Sequence, residues 1–96
     1  MEYNQDLLTS VIEQWGVEAQ ENQAIEECSE LITAILHHRR NKCSEDDIIT
    51  EIADVSIMCE QLRIIYGNDR VDNEIQRKLK RLQIRLEKKV TPTQYS

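Results

Sequence analysis

The stretch AIEECSELITAILHHRRNKCSEDDIITEIADVSIMC, residues 24–59, decides how this chain folds. It holds two amphipathic runs on either side of a short polar break. In the first run, Ala24, Ile25, Cys28, Leu31, Ile32, Ile35 and Leu36 recur every three or four residues, the spacing of one helix face. In the second, Ile48, Ile52, Val55, Met58 and Cys59 do the same, and Leu62 and Ile65 extend the pattern. Ser44-Glu45-Asp46-Asp47 between them is a capping-box-like helix start with its acids in the first turn. Residues 41–43 are all that remains to connect the two helices, and so short a link forces an antiparallel hairpin.

Four acids in this hairpin sit where a surface helix would not place them. Glu51 falls in the middle of the apolar arc of the second run, and Asp54 lies at its edge. An unpaired buried carboxylate costs several kcal/mol, so it is neutralised, paired or bound to a cation. Glu27 and Glu30 are one turn apart on the first run and share a face with Gln20, Gln23 and Ala34. Residues that face each other in an antiparallel hairpin have position numbers with a constant sum. Glu30 with Glu51 and Glu27 with Asp54 both give 81, so the four acids come to one level.

Four converging carboxylates need a counter-charge. Two basic side chains would supply it. So would a hard cation, Mg²⁺ or Mn²⁺, which oxygen-only ligands suit. The bland alternative is four acids on solvated helix faces. A di-iron centre is disfavoured, because neither Glu27 nor Glu30 begins a Glu-x-x-His pair.

Outward from the hairpin, the rest of the chain also reads as helix. Leu7, Leu8, Val11, Ile12 and Trp15 share one arc before Gly16, a natural stop. The second helix starts near Val17 and reaches about Arg40, and the third continues to about Tyr66, before Gly67. The fourth starts near Asp69 and carries Ile75, Leu79, Leu82 and Leu86 at heptad-like spacing. Its other side is basic, with Arg77, Lys78, Arg81 and Arg85. Residues 91–96 are expected to fray.

The expected fold class is therefore all-α: a four-helix-bundle-like protomer of antiparallel helices in one domain, residues 1–90. With only two Gly and one Pro in 96 residues, a sheet protein lacks its turn residues. A chain this short gains core by oligomerising, and Ile49, Ala53, Ile57 and Ile64 lie away from the Glu51 face, so at least a dimer is expected. The net charge of −6 argues against coating nucleic acid. No apolar run suits a membrane span or a signal segment, so no membrane partner and a cytoplasmic location are expected. Cys28, Cys43 and Cys59 form no C-x-x-C pair and read as small apolar residues in a reducing compartment.

Trp15-Gly16, Gln20, Glu26-Glu27-x-x-Glu30 and Glu51-x-x-Asp54 together resemble the MazG-like all-α nucleoside triphosphate pyrophosphohydrolases. The similarity runs from about Trp15 to Leu86. It implies a helical dimer or tetramer that holds Mg²⁺ at each site and hydrolyses nucleoside triphosphates to monophosphate and pyrophosphate, a nucleotide-pool housecleaning activity. Carried over by motif position, Glu27, Glu30, Glu51 and Asp54 are the metal ligands, Glu27 also serves in catalysis, and Glu26 is a supporting or water-orienting acid. No glycine-rich phosphate loop is present, so basic side chains must share the phosphates with the metal. Arg39, Arg40 and Lys42 at the hairpin loop are candidates, with Lys78, Arg81 and Arg85 on the fourth helix. Lys78 is favoured because it borders the apolar seam. Gln20 and Gln23 share the acids' face and are candidates for base or sugar contacts. Trp15 is a candidate stacking platform, although core packing is the more ordinary role for a tryptophan. The competing function is a non-enzymatic helical module that dimerises and binds another protein. It explains the apolar seams but not Glu51.

Overall fold

The computed structural model describes residues 1–88; the tail at 91–96 lies outside them. The described residues form four helices, α1 (Gln5–Trp15), α2 (Val17–Arg39), α3 (Glu45–Tyr66) and α4 (Asn68–Lys88), and contain no strand. The all-α reading holds. Two compact units divide the chain: one runs to Ile65 and the second begins at Tyr66 and contains α4.

Local chemistry sets each boundary of the first unit. The Asn4 side chain caps α1 by accepting from the Leu7 amide at 3.0 Å. Gly16 ends α1, donating its N–H to the Ile12 carbonyl at 2.8 Å, and its φ of 92° is one that side-chain-bearing residues rarely adopt. A Cβ there would meet nothing within 4 Å, so it is the backbone and not crowding that requires glycine.

At the end of α2, Asn41 turns left-handed with φ 58°. The Lys42 amide reaches back to the His37 carbonyl at 2.8 Å and the Asn41 amide to the His38 carbonyl at 3.0 Å. This is the Schellman arrangement, with asparagine in the place usually held by glycine. Half of the capping box expected for α3 forms, with an aspartate as the returning acid, while the Asp47 amide donates to the Ser44 carbonyl at 3.2 Å. The Ser44 amide and hydroxyl both donate to Asp47 Oδ2, at 3.0 and 3.2 Å.

In the first unit α1 packs on α2, and α2 and α3 run antiparallel as the short connection requires. Glu27 meets Asp54 in the hairpin's middle, while Cys43 at the turn bonds to Ala34. The core is smaller than the sequence suggests. Leu8, Ala24, Ala34 and Met58 are the buried apolar residues, accompanied by the buried amides of Gln20 and Gln61.

The isoleucine stripe of α2 is not part of the core. Ile25 and Ile32 are 66% and 61% exposed, and Ile35 and Leu36 are also exposed. The cause is rotational. The α2 face carrying Gln20, Gln23, Glu27 and Ala34 is the one at α3, and at 100° per residue Ile32 points about 140° away from Glu27. Trp15, expected in the core, is 63% exposed, and Leu7 beside Leu8 is exposed as well. Ile49, Ala53 and Ile57, on the side of α3 away from Glu51, are exposed.

In the second unit Ile75, Leu79, Leu82 and Leu86 of α4 are all exposed. Among the described residues no helix is long and apolar enough to cross a membrane.

Candidate metal centre

The hairpin brings three of the four expected acids into one group. One oxygen from each of Glu27, Glu51 and Asp54 lies within 4.8 Å of the others, and all three side chains are half-buried. Glu27 sits on the α3-facing side of α2, where Gln23 one turn earlier donates an amide hydrogen to its Oε1 at 2.8 Å. Glu51 and Asp54, one turn apart on α3, face it from the opposite side. Glu30 is exposed and stands outside this closest group, but lines a cleft together with Glu51.

The electrostatics of the group are unbalanced. No lysine, arginine or histidine pairs with Glu27, Glu30, Glu51 or Asp54 among the described residues; the salt bridges there, such as Arg63 with Glu60 and Arg77 with Glu74, lie elsewhere. Glu27 Oε2 and Glu51 Oε2 are buried and have no hydrogen-bond partner. The Gln23 hydrogen bond pulls the Glu27 carboxyl down. Burial, the charges of Glu30 and Asp54 and a hydrogen bond shared with Asp54 outweigh it, and hold the group above the usual carboxylate range.

The donor set therefore fits a hard divalent cation: carboxylate oxygens only, two of them buried acceptors without a hydrogen. Gln23, a base or sugar candidate from sequence, donates to Glu27 and orients it. Gln20 is buried on the same face of α2, and Glu26 is exposed. Arg39 is exposed at the last position of α2. Trp15 is on the surface, where stacking remains open to it. Lys78 and Arg81 belong to the second unit, where Lys78 lines a groove with Tyr66, Arg70 and Ile75.

Sequence reasoning did not foresee the cleft. It has a volume of about 360 Å³ and is lined by Glu30, Thr33, Ala34, His37, Cys43, Asp47 and Glu51. The signal was available: Thr33 and His37 follow Glu30 at helical spacing and Asp47 precedes Glu51 by one turn. Two bonds tie its loop end to α2. Cys43 Sγ donates to the Ala34 carbonyl at 3.3 Å, and His38 Nδ1 lies 3.1 Å from the Cys43 carbonyl. Burial and the Asp47 charge push the Cys43 thiol up, so it stays a protonated donor. Cys28 and Cys59 are exposed, and all three thiols are free.

No family model, no curated protein and no solved structure matches the chain.

Proposed function

We propose that the chain is a Mg²⁺-dependent hydrolase that cleaves nucleoside triphosphates to monophosphate and pyrophosphate, as the MazG-like motif pattern implies. The observation that carries this reading is the group formed by Glu27, Glu51 and Asp54, in which Glu27 Oε2 and Glu51 Oε2 are buried without a hydrogen-bond donor and no basic side chain among the described residues pairs with the three acids. A purely structural acid cluster would need one or the other.

Glu27, Glu51 and Asp54 hold the cation, with Glu30 completing the set from the exposed side. Mn²⁺ suits the same oxygens. Bound there, Mg²⁺ neutralises phosphate charge and lowers the pKa of a water. The protein's own residues do the remaining work. Gln23 fixes the orientation of Glu27, and Glu26, which is not among the cation's ligands, accepts the attacking water's proton. The site itself contributes no positive side chain. The phosphates therefore depend on basic residues beyond it, Arg39 and its neighbours at the end of α2. The choice of pyrophosphate over phosphate as leaving group rests on the motif resemblance.

The functional unit is a homo-oligomer, dimer or tetramer, in a cytoplasmic setting. The exposed isoleucines of α2 and α3 support association, and they equally favour the rival reading, a helical module that binds protein and has no catalytic role. Incubating the purified protein with a panel of NTPs and dNTPs in Mg²⁺, and separating pyrophosphate from phosphate, decides between the two. Monophosphate and pyrophosphate are the expected products. A diphosphate as main product overturns the reaction assignment, and no hydrolysis of any nucleotide favours the interaction module.

A further inference from the structure

The apolar seam of α4 is exposed, and the charge of the chain says what can cover it. Residues 66–96 carry eight bases and four acids, whereas residues 1–65 carry fourteen acids and four bases. Pairing α4 with another α4 sets like charges against each other. Pairing it with the acidic first unit brings opposite charges together. Ile75, Leu79 and Leu86 lie within about 40° of one another around α4 and are exposed. On the outward face of α2, Ile25, Ile32 and Leu36 span an arc of the same width and are exposed as well.

Spacing then fixes direction and register. The gaps run seven and four along α2 but four and seven along α4, so the two stripes match when the helices are antiparallel. Ile25 with Leu86, Ile32 with Leu79 and Leu36 with Ile75 all give the sum 111, the mark of facing residues in an antiparallel pair. The matched stripes are about 16 Å long. The next pair at the same sum is Arg39 with Asp72, both exposed and of opposite charge. A parallel arrangement instead brings Arg39 to the end of α4 that holds Arg85 and Lys88. The exposed Ile49, Ala53 and Ile57 of α3 are four apart each time, drift around their helix and match no such run.

We propose that α4 of one copy docks antiparallel on the outward face of α2 in a second copy, with Arg39 and Asp72 as the charge pair that sets the register. The proposal rests on the self-association reading above and is independent of hydrolysis. In a two-fold dimer the contact is made twice, each copy lending one α4 and receiving another. Arg39 committed to this contact passes the phosphate role to its neighbours Arg40 and Lys42.

The test is sedimentation velocity of the whole chain across the micromolar range, with circular dichroism recording helicity. Asp72→Arg and Arg39→Glu each turn attraction into repulsion at both contacts, and each should weaken self-association about tenfold. An equimolar mixture of the two variants should restore it, because the mixed dimer recovers opposite charges at both contacts. The chain carrying both substitutions should assemble for the same reason. Leu79→Glu, at an exposed position, should abolish assembly with helicity kept. A wild type that assembles but ignores Leu79→Glu overturns the docking mode alone. So does loss of assembly in Leu79→Glu with no effect of either charge reversal, which assigns the seam a different cover. Recovery in the doubly substituted chain without recovery in the mixture means the pair forms within one chain, and overturns it too. A wild type that stays monomeric sinks the self-association reading and this inference together.

Discussion

Replacing Ile25 and Ile32 with serine tests whether the outward stripe of α2 is an interface between copies of the chain. The two side chains are seven residues apart, about 20° around the helix, and therefore share one face. They are 66% and 61% exposed in the protomer. Fully burying an isoleucine side chain contributes about 1.5–3 kcal/mol. Covering the exposed three-fifths of each therefore contributes about 1–2 kcal/mol. In a two-fold symmetric dimer each residue enters twice, so the double variant loses about 4–8 kcal/mol of association free energy. Ordering costs at the interface favour the lower end, which still weakens the dimer about a thousandfold. Sedimentation velocity across the micromolar range reads this directly, with circular dichroism recording helicity. The wild type should sediment as a dimer or larger. The double variant should be monomeric, or lose helicity if the small protomer core cannot fold alone. A wild type that stays monomeric at micromolar concentration, or a double variant that associates as tightly as the wild type, refutes the reasoning.

Three further outcomes are expected. Glu51→Gln should abolish hydrolysis yet be neutral or stabilising in EDTA, because Glu51 has no basic partner to strand among the described residues. Breaking a real buried ion pair would cost about 3–5 kcal/mol, so strong destabilisation in EDTA with activity retained in Mg²⁺ contradicts the metal site. MgCl₂ should raise the melting temperature beyond NaCl of matched ionic strength, with about 2.7 kcal/mol of stabilisation at 100 times the dissociation constant; equal shifts in the two salts mean screening alone. Glu27 has its folded pKa raised, so in EDTA its contribution to stability is fully present below the unfolded carboxylate value of about 4.3 and is lost as pH rises through the folded value. Mg²⁺ must displace that proton, so its affinity should fall as pH drops through the same window. A stability difference between wild type and Glu27→Gln that does not change with pH rules this out.

The helices were legible because their stops are chemical. Gly16 and Gly67 adopt backbone angles that other residues avoid, and Ser44 with Asp47 closes a cap that needs only side chains three apart. The exact end of α2 was less so, since asparagine reaches the left-handed region only with help from the surrounding turn, here the two returning amides at Asn41 and Lys42. Glu27, Glu51 and Asp54 were legible for a different reason. Once a short connection fixes an antiparallel hairpin, position numbers alone pair Glu27 with Asp54 across the helices. The cleft was not anticipated because its lining includes Cys43 in the connection, whose path depends on hydrogen bonds to Ala34 and His38.

The apolar stripe of α2 is left uncovered by its own chain, and that has a physical cause. Periodicity reports that a helix has an apolar face, but not whether that face is covered by its own chain. Here the inward face of α2 carries Gln20, Gln23, Glu27 and Ala34, and position numbers that add to 81 bring α3 to it with Gln61, Met58, Asp54 and Asp47. Of these, Gln20, Ala34, Met58 and Gln61 are buried. Such a seam gains little from apolar burial, and without a cation it also sets carboxylates against one another. Two additions would relieve it: a divalent ion between Glu27, Glu51 and Asp54, and a cover over the isoleucines outside. Each acts only on the folded hairpin, so each shifts the same folding equilibrium. A cation and a second copy that each bound only the folded hairpin would therefore reinforce each other through its stability, even with no contact between the two surfaces.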